Sequence, residues 1–519
     1  MGGVATLAAL LVASGAISGV GLPQFAPAAL VASHADAPAS NIAAADLNCD
    51  GLKDLLVTRL LFRTDTTEPV SVFINNGRGG FRDEAASLFL GAVPRTTHGR
   101  QIVIADFNGD HCDDAYIPDT GNDAPPHPGI PNTLILSAPG GRLVDASKNI
   151  PYQSAFTHSG TAADVNGDGA VDIYEGNLCC ENSSPRVLLN DGTGTFSVAT
   201  DVLPPEIFGL DAIENAGADQ FRPYSSHFVD VNNDGRPDLV LGGGNNTTGT
   251  LLLVNTGGGH LRAAPEAIPA KPLGIDALVN GIGSGDLNGD GFQDLVLAYT
   301  RGTPYYEGSY LQILINDGSG RFRDETAKWY SQKVDNKDVW VAFVELADVT
   351  GDGRPDVVPH FFGGNVYGAT ATVLVNAGDH LSPVSGSTLG TYEGLYEFVH
   401  ERDGRLDLFT INPSFNGVPE GDYVRRELRA PSAPKGGAAS RGTTTDGVVL
   451  RWSAADQAAR YDVWRAGGGV STRLIGTTFE RRFVDRTARA GVRYRYSVRG
   501  VNSEGSGPFA SLGVGYRRH

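Results

Sequence analysis

Short apolar runs separated by polar turns recur along the first 430 residues and predict β-strands. Two examples are Leu239-Val240-Leu241 and Leu295-Val296-Leu297, which each follow an aspartate and carry the aliphatic and β-branched residues typical of strands. Such runs are too short for long helices, and no interior stretch approaches the roughly 20 apolar residues of a membrane helix. The pattern therefore predicts an all-β protein without a membrane span.

A nine-residue acidic loop precedes many of these runs. From Asp164 to Asp172, oxygen-bearing side chains occupy positions 1, 3, 5 and 9, and Gly169 occupies position 6. This alternation suits Ca²⁺, which prefers six to eight oxygen ligands. About six Ca²⁺ sites are predicted, with the following side chains as ligands: Asp46, Asn48, Asp50, Asp54, Asp106, Asn108, Asp110, Asp114, Asp164, Asn166, Asp168, Asp172, Asp230, Asn232, Asp234, Asp238, Asp286, Asn288, Asp290, Asp294, Asp348, Thr350, Asp352 and Asp356.

Two copies of the loop depart from the pattern. His111 replaces the turn glycine of the second copy, which predicts weaker binding there. A seventh copy keeps Glu401, Asp403 and Asp407 but has Val399 at position 1, so it is expected to be empty. The EF-hand and dockerin alternatives both need helices beside the loop, and the EF-hand also needs a glutamate at position 12. Because β-forming residues follow the loops instead, both alternatives are rejected.

The loops repeat at intervals of 60, 58, 66, 56, 62 and 51 residues, counted from position 1. A second motif, typified by Asn190-Asp191-Gly192, recurs between the loops and predicts a β-hairpin. Each repeat then holds four strands, which is the composition of a propeller blade. Seven repeats predict a seven-bladed β-propeller over residues 22–430, in which residues near 22–33 complete the last blade.

The pairing of these two motifs resembles the FG-GAP/VCBS repeat family, whose fold is similar to the integrin α-chain propeller. The resemblance covers about residues 22–430. It implies a calcium-stabilised propeller in which the metal is mainly structural and lies opposite the usual ligand face. It implies no single activity, because family members include adhesion proteins, lectins and some enzymes that act on polysaccharides or lipids.

Residues 431–519 have a different pattern. After the proline-rich junction that begins at Pro431, three segments alternate polar and apolar residues with the period of β-strands. Trp452 on an early strand and Tyr494 after a late turn resemble the fibronectin type III sandwich, with Tyr494 as its corner tyrosine. A C-terminal module of this type is predicted to act as a spacer or contact surface.

Charge is distributed unevenly between these two parts. The whole chain has a net charge of −18, but residues 431–519 contain 15 Lys and Arg against 6 Asp and Glu, which leaves −27 for the first 430 residues. The 18 aspartates among the predicted ligands account for much of this acidity. No basic patch interleaved with aromatic residues is present in the large domain, so nucleic acid is not expected as a partner.

The N-terminus and the cysteines predict export. Residues 1–21 resemble a secretory signal with an apolar centre and small residues after it, although the usual Lys or Arg is missing. Cys49 and Cys112 lie in consecutive calcium loops and could form a disulfide, and the adjacent Cys179 and Cys180 could form another. Free, inert thiols are the alternative for both pairs. The protein is therefore expected to be secreted or at the cell surface.

A ligand face is predicted opposite the calcium loops. Residues six to ten positions before each loop, together with the loops after each second strand, would bring Arg, His and aromatic side chains to this face. Such side chains bind sugars or peptides, although each aromatic side chain could instead fill space between blades. The candidate residues are His98, Arg100, His158, Arg222, Tyr224, Tyr305, Tyr306, Trp340, Phe361, Tyr367 and Glu393.

The sequence favours a binding or adhesion protein for a glycan or an extracellular protein. No catalytic motif assigns a reaction, and no catalytic residues can be named. The alternative is a carbohydrate-active enzyme, such as a lyase that uses His98 or His158 as base beside Arg100 or Arg222, or a hydrolase with a carboxylate pair. A structural matrix protein is the third possibility.

Overall fold

The computed structural model describes most of the two predicted regions. The described residues are 25–26, 29–32, 39–60, 64–77, 79–178, 182, 184–208, 223–243, 250–270, 272, 277–302, 305–332, 340–362, 373–384, 396–401, 405–412, 421–502 and 504–518. In these ranges no helix is both long enough and apolar enough to cross a membrane. The chain divides into two compact units, Met1–Arg426 and Glu427–His519.

The described residues of the first unit contain seven four-stranded antiparallel sheets, named sheets 1 to 7 in the order of their acidic loops. Sheet 1 contains Ala39–Ala45, Asp54–Arg59, Ser71–Asn75 and Phe81–Asp83. Sheet 2 contains Val103–Ala105, Asp114–Ile117, Thr133–Ala138 and Arg142–Asp145. Sheet 3 contains Thr157–Ala163, Asp172–Asn177, Arg186–Asn190 and Phe196–Ala199. Sheet 4 contains Ser225–Val229, Asp238–Gly242, Leu251–Asn255 and Leu261–Ala263. Sheet 5 contains Ala277–Gly285, Asp294–Gly302, Tyr305–Asn316 and Phe322–Asp324. Sheet 6 contains Trp340–Ala347, Asp356–Phe362, Val373–Asn376 and Leu381–Val384. Short additional elements are Glu68–Pro69 paired with Arg95–Thr96, the helices Ala85–Leu88, Pro205–Phe208 and Thr326–Trp329, and the 3₁₀ turn Ser147–Asn149.

Sheet 7 combines both ends of the unit. Its strands are Tyr396–His400, Leu406–Asn412, Gly421–Arg425 and Ala29–Ala32, and Ala29 lies opposite Val424 in the antiparallel register. Residues 29–32 lie within the segment that the sequence assigns to this position.

Hydrophobic clusters fill the boundaries between consecutive sheets. The cluster between sheets 4 and 5 includes Val240 and Leu297, and the cluster between sheets 5 and 6 includes Ile313 and Val357. Phe73 of sheet 1 packs against Phe409 of sheet 7 with their rings 5.4 Å apart. Sheet 7 therefore shares a core with sheet 1, just as consecutive sheets share cores with each other.

The second unit contains two antiparallel sheets around one core. The first sheet contains Ala438–Ala439, Val448–Arg451 and Arg482–Asp485; the second contains Arg460–Gly467, Val470–Thr478, Tyr494–Asn502, Gly505–Ser506 and Ala510–Gly515. Trp452, Tyr461 and Tyr496 are buried in the core between them. The Tyr494 hydroxyl accepts a 3.4 Å hydrogen bond from the backbone amide of Arg489, five residues earlier in the chain.

Candidate metal loops and central cavity

Each complete acidic loop joins the first and second strands of its sheet. In the loop of sheet 3, the Asp164 carboxylate accepts hydrogen bonds from the amides of Gly167 at 2.8 Å, Asp168 at 3.1 Å and Gly169 at 2.8 Å. The amide oxygen of Asn166 accepts a further bond from the Asp168 backbone at 2.9 Å. The alternation of acidic and small residues thus folds the chain into a tight turn around the first carboxylate.

The aspartate at position 9 of each complete loop begins the second strand and is fully buried. In sheet 5, one carboxylate oxygen of Asp294 accepts the Asn316 amide at 2.9 Å and the other accepts the Leu287 amide at 3.0 Å. Burial raises the pKa of Asp294 to about 6, with a smaller contribution from the charges of Asp290 and Asp286. Each loop therefore holds a buried carboxyl group whose ionisation is costly unless a positive charge is close.

The chemistry of the loops fits a hard cation, since every side-chain donor is an oxygen. Among the described residues, however, no group of three or more His, Cys, Asp or Glu side chains is arranged to hold a metal ion. Many of the loop oxygens accept backbone amides, as Asp164 does. Calcium binding by these loops stays a prediction.

The two irregular copies differ from each other in the structure. His111 has a φ of +67°, so it adopts the left-handed backbone that glycine usually supplies at this turn. In the seventh copy Val399 is buried in the core shared with sheet 1, and Glu401 accepts a 3.0 Å hydrogen bond from the Asn75 side chain of sheet 1. Asp403 lies outside the described residues. The seventh loop thus contributes to contact between sheets.

The first asparagine of each hairpin motif has a role that turn chemistry alone does not predict. The Asn316 side chain of sheet 5 donates to the Val231 carbonyl in the loop of sheet 4 at 2.7 Å. Asn255 and Asn376 make the corresponding bonds to the preceding sheet at 2.8 and 2.9 Å. The hairpins and acidic loops of neighbouring sheets are therefore joined by hydrogen bonds. The sequence signal is the repeated asparagine two residues before a glycine.

A covalent bond joins sheets 1 and 2 at the corresponding boundary. Ser137 replaces the hairpin asparagine in sheet 2, and its hydroxyl bonds within its own sheet, to Asp114 at 2.7 Å. A disulfide links Cys49 and Cys112 across this boundary with their Cα atoms 5.4 Å apart. Cys179 and Cys180 lie outside the described residues.

A central cavity of about 430 Å³ lies among the first strands of the seven sheets. Arg100, His158 and Tyr224 of the predicted ligand face line it. Several other polar residues of the lining were not predicted as candidates, among them Asn280, Glu345, His360 and Glu397. Sequence spacing could have identified Asn280, which stands six residues before its loop, in the same position as Arg100, His158 and Tyr224.

A bulge occurs at this position in several sheets. The antiparallel register skips His158 in sheet 3 and Asn280 in sheet 5. His158 Nδ1 bonds the Tyr224 carbonyl of sheet 4 at 2.7 Å, and the Asn280 amide donates to the Val341 carbonyl of sheet 6 at 3.2 Å. Bulges re-aim side chains and are common beside functional sites. Here they turn polar groups toward the cavity and the neighbouring sheet.

Arg100 lies beside two histidines that stay neutral. Burial, with a smaller contribution from the positive charge of Arg100, lowers the pKa of His98 to about 3. The pKa of His158 is also well below its usual value because the ring is buried and Arg100 is near. The buried Asp119 accepts the backbone amides of Thr97 and His98, both at 2.8 Å, and so fixes the segment that carries Arg100.

The remaining predicted ligand residues are not brought together in the described part of the chain. Trp340 begins the first strand of sheet 6 and is half-buried. Tyr305, Tyr306 and Phe361 lie on described strands, but their side chains are outside the description. Arg222, Tyr367 and Glu393 lie outside the described residues.

Replacing Arg100 with glutamine should raise the pKa of His98, because a nearby positive charge is removed while burial is unchanged. The new pKa should stay below about 6.5. Histidine ring signals in an NMR pH titration measure the change, and Arg262→Gln on the exposed surface is the matched control. An unchanged His98 titration would show that the two groups do not interact.

Comparisons with known proteins agree with the repeat prediction. Residues 230–297 and 286–358 match the FG-GAP-like repeat model, which confirms the repeat in these two ranges. No curated protein sequence matches the chain. The Dos1 propeller is similar at 10% identity and a TM-score of 0.33, with 81% of this chain and 93% of that chain covered.

Two further solved structures are similar to parts of the chain. Bombyx mori GH32 β-fructofuranosidase in complex with sucrose has 11% identity and a TM-score of 0.30, and the match covers 80% of this chain and 92% of that chain. An Fn3-like protein from Clostridium thermocellum has 25% identity and a TM-score of 0.16, and the match covers 17% of this chain and 96% of that chain. The strands of both units confirm the all-β prediction, and residues 230–358 carry FG-GAP-like repeats.

Proposed function

We propose that this chain is a secreted protein whose seven-bladed, calcium-stabilised propeller binds an acidic glycan in its central cavity. A fibronectin type III module follows the propeller in this proposal. The choice of ligand rests on the Arg100 guanidinium. This group lines the cavity and, within the described residues, forms neither a hydrogen bond nor an ion pair.

An arginine without a partner is unusual in so acidic a chain, whose net charge is −18. Its planar guanidinium matches the geometry of a carboxylate or sulfate group, which it can bind with two parallel hydrogen bonds. The surrounding cavity offers Gln101, Ser226 and Ser284, which are neutral groups suited to sugar hydroxyls. A volume of about 430 Å³ is within the range of small-molecule sites.

Other features support the remaining parts of the proposal. The acidic loops carry oxygen donors only, in keeping with calcium. The Cys49–Cys112 disulfide is suited to an oxidising compartment, which supports export. The two sheets of the second unit and the hydrogen bond to Tyr494 are typical of a fibronectin type III module.

Binding of uronic acid disaccharides tests the proposal. The wild-type protein is expected to bind disaccharides that contain glucuronic acid and not to bind the corresponding neutral disaccharides. Arg100→Gln should weaken binding by about 10- to 100-fold, the loss of one charge-assisted bidentate pair. Isothermal titration calorimetry measures both affinities, and Arg262→Gln is the control. Equal binding of acidic and neutral sugars, or an unaffected Arg100 variant, would contradict the proposal.

A lyase acting on the same acidic glycan is the second candidate. It is favoured by the position of the neutral His158 beside Arg100, since a neutral imidazole accepts protons and an arginine can offset the negative charge of a uronate. The low pKa values of His98 and His158 make both weak bases, so binding is preferred. Unsaturated sugar products, detected by absorbance near 232 nm, would establish the lyase instead.

A further inference from the structure

A carboxylate pair lies at the boundary of sheets 6 and 7 and lines the same cavity as Arg100. Glu345 of sheet 6 keeps 46% of its side chain exposed, and its carboxylate is 3.9 Å from Nε2 of the buried His360. Glu397 of sheet 7 is close enough for its ionisation to be opposed by the charge of Glu345. The three side chains belong to the lining of one cavity.

Two buried polar atoms in the lining independently indicate a ligand. Asn280 and His360 are 4% and 3% exposed, and Asn280 Oδ1 and His360 Nδ1 have no hydrogen-bond partner among the described residues. Buried polar atoms in folded proteins are nearly always paired. The side of the cavity formed by sheets 5 to 7 therefore presents oxygen acceptors, while Arg100 of sheet 2 presents donors.

We propose that the Glu345–Glu397 pair binds an ammonium group, so that the glycan is one that carries a free amino sugar beside its acidic sugar. This inference rests on the proposed function, in which Arg100 binds the acidic group. An ammonium has three donors and one positive charge, which suits two carboxylates and a nearby amide oxygen. A metal ion is a poorer choice, because no three-group His, Cys, Asp or Glu cluster that could hold one occurs in the described ranges.

The protonation of the pair supports this assignment. Burial raises the pKa of Glu397 well above its usual range, and the negative charge of Glu345 raises it further. Sheet 6 also presents His360 here, whereas sheet 1 lines the cavity with Ile42, Ala43 and Ala44, which do not titrate. The positive charge of a bound ammonium would favour the ionised form of Glu397, so Glu397 would release a proton as the ligand binds.

A matched pair of disaccharides tests the inference. Glucuronyl-glucosamine has a free amine, whereas glucuronyl-N-acetylglucosamine has an amide at the same carbon. The wild-type protein should bind the free amine about tenfold more tightly, the value of one charge-assisted hydrogen bond. Calorimetry in phosphate and Tris buffers should give different apparent binding enthalpies for glucuronyl-glucosamine but not for glucuronyl-N-acetylglucosamine. Such a dependence on the buffer reports the release of a proton on binding. Glu345→Gln should remove both differences, and the exposed Glu266→Gln should keep them.

The outcomes separate the two proposals. Equal affinity of the wild-type protein for both disaccharides would overturn the ammonium site and leave the acidic-glycan proposal intact. Binding of neither disaccharide would overturn both. Tighter binding of the zwitterionic dipeptide Gly-Asp than of glucuronyl-glucosamine would show that the cavity takes peptides, and would overturn the amino sugar. The comparison of sugars uses the wild-type chain, so it holds even if a variant folds poorly.

Discussion

EDTA should lower the melting temperature of the first unit by more than about 10 °C, because it removes the calcium that we propose for the acidic loops. A ligand at 100 times its dissociation constant contributes about 2.7 kcal/mol for each site, so even three occupied loops contribute about 8 kcal/mol. The physical reason lies in the loops, where burial raises the pKa of Asp54 to about 7 and the charges of Asp50 and Asp46 oppose its ionisation. A bound cation offsets that repulsion.

Differential scanning calorimetry with and without EDTA measures the change. Added Ca²⁺ should restore the higher temperature, while Mg²⁺, which keeps several of its water ligands, should restore less. The transition of the second unit serves as an internal control, because the acidic loops all belong to the first unit. An identical melting temperature in EDTA and in calcium would contradict a structural role for a metal in the first unit.

Asp294→Ala should destabilise the first unit by about 2–6 kcal/mol even in EDTA. The variant leaves the buried amides of Asn316 and Leu287 without their acceptor, and each such amide costs about 1–3 kcal/mol. Loss of the unfavourable buried charge offsets part of this cost. Urea unfolding followed by tryptophan fluorescence measures the difference in free energy.

Two variants separate the possible causes. Asp294→Asn keeps one acceptor oxygen but turns a donor toward the second amide. Its free energy of unfolding should therefore lie between those of the wild-type protein and Asp294→Ala. Asp191→Ala removes an aspartate from an exposed hairpin turn, where its carboxylate bonds Thr193, and should change stability little. If Asp294→Ala in EDTA were no worse than Asp191→Ala, the position-9 aspartate would act only through metal.

The local elements could be predicted from the sequence because their signals are local. Asn-Asp-Gly permits the hairpin turn between short apolar runs, and the acidic loop always lies between two strands. Seven copies of this unit predicted an all-β propeller, and the all-β class and the repeat in residues 230–358 are confirmed. The seven-bladed class and the fibronectin type III module stay predictions.

The cavity was only partly predictable, because its lining comes from strands that are distant in the chain. Arg100 and His158 were identified by counting back from each loop. Glu345 and Glu397 stand at unlike distances from their loops, and only the packing of sheet 6 against sheet 7 brings them together. Asn280 stands six residues before its loop, as Arg100 and His158 do, so the same counting could have identified it.

Sheet 7 also has a consequence for the order of synthesis. Its outer strand, Ala29–Ala32, pairs with Gly421–Arg425, and the buried ion pair of Arg59 with Asp422 joins residues 363 positions apart. Both contacts have to wait until the ribosome has made the end of the unit, whereas each earlier sheet can form from residues already made. Sheet 7 is therefore completed last, and Ala29–Ala32 spends most of translation without its partner strand.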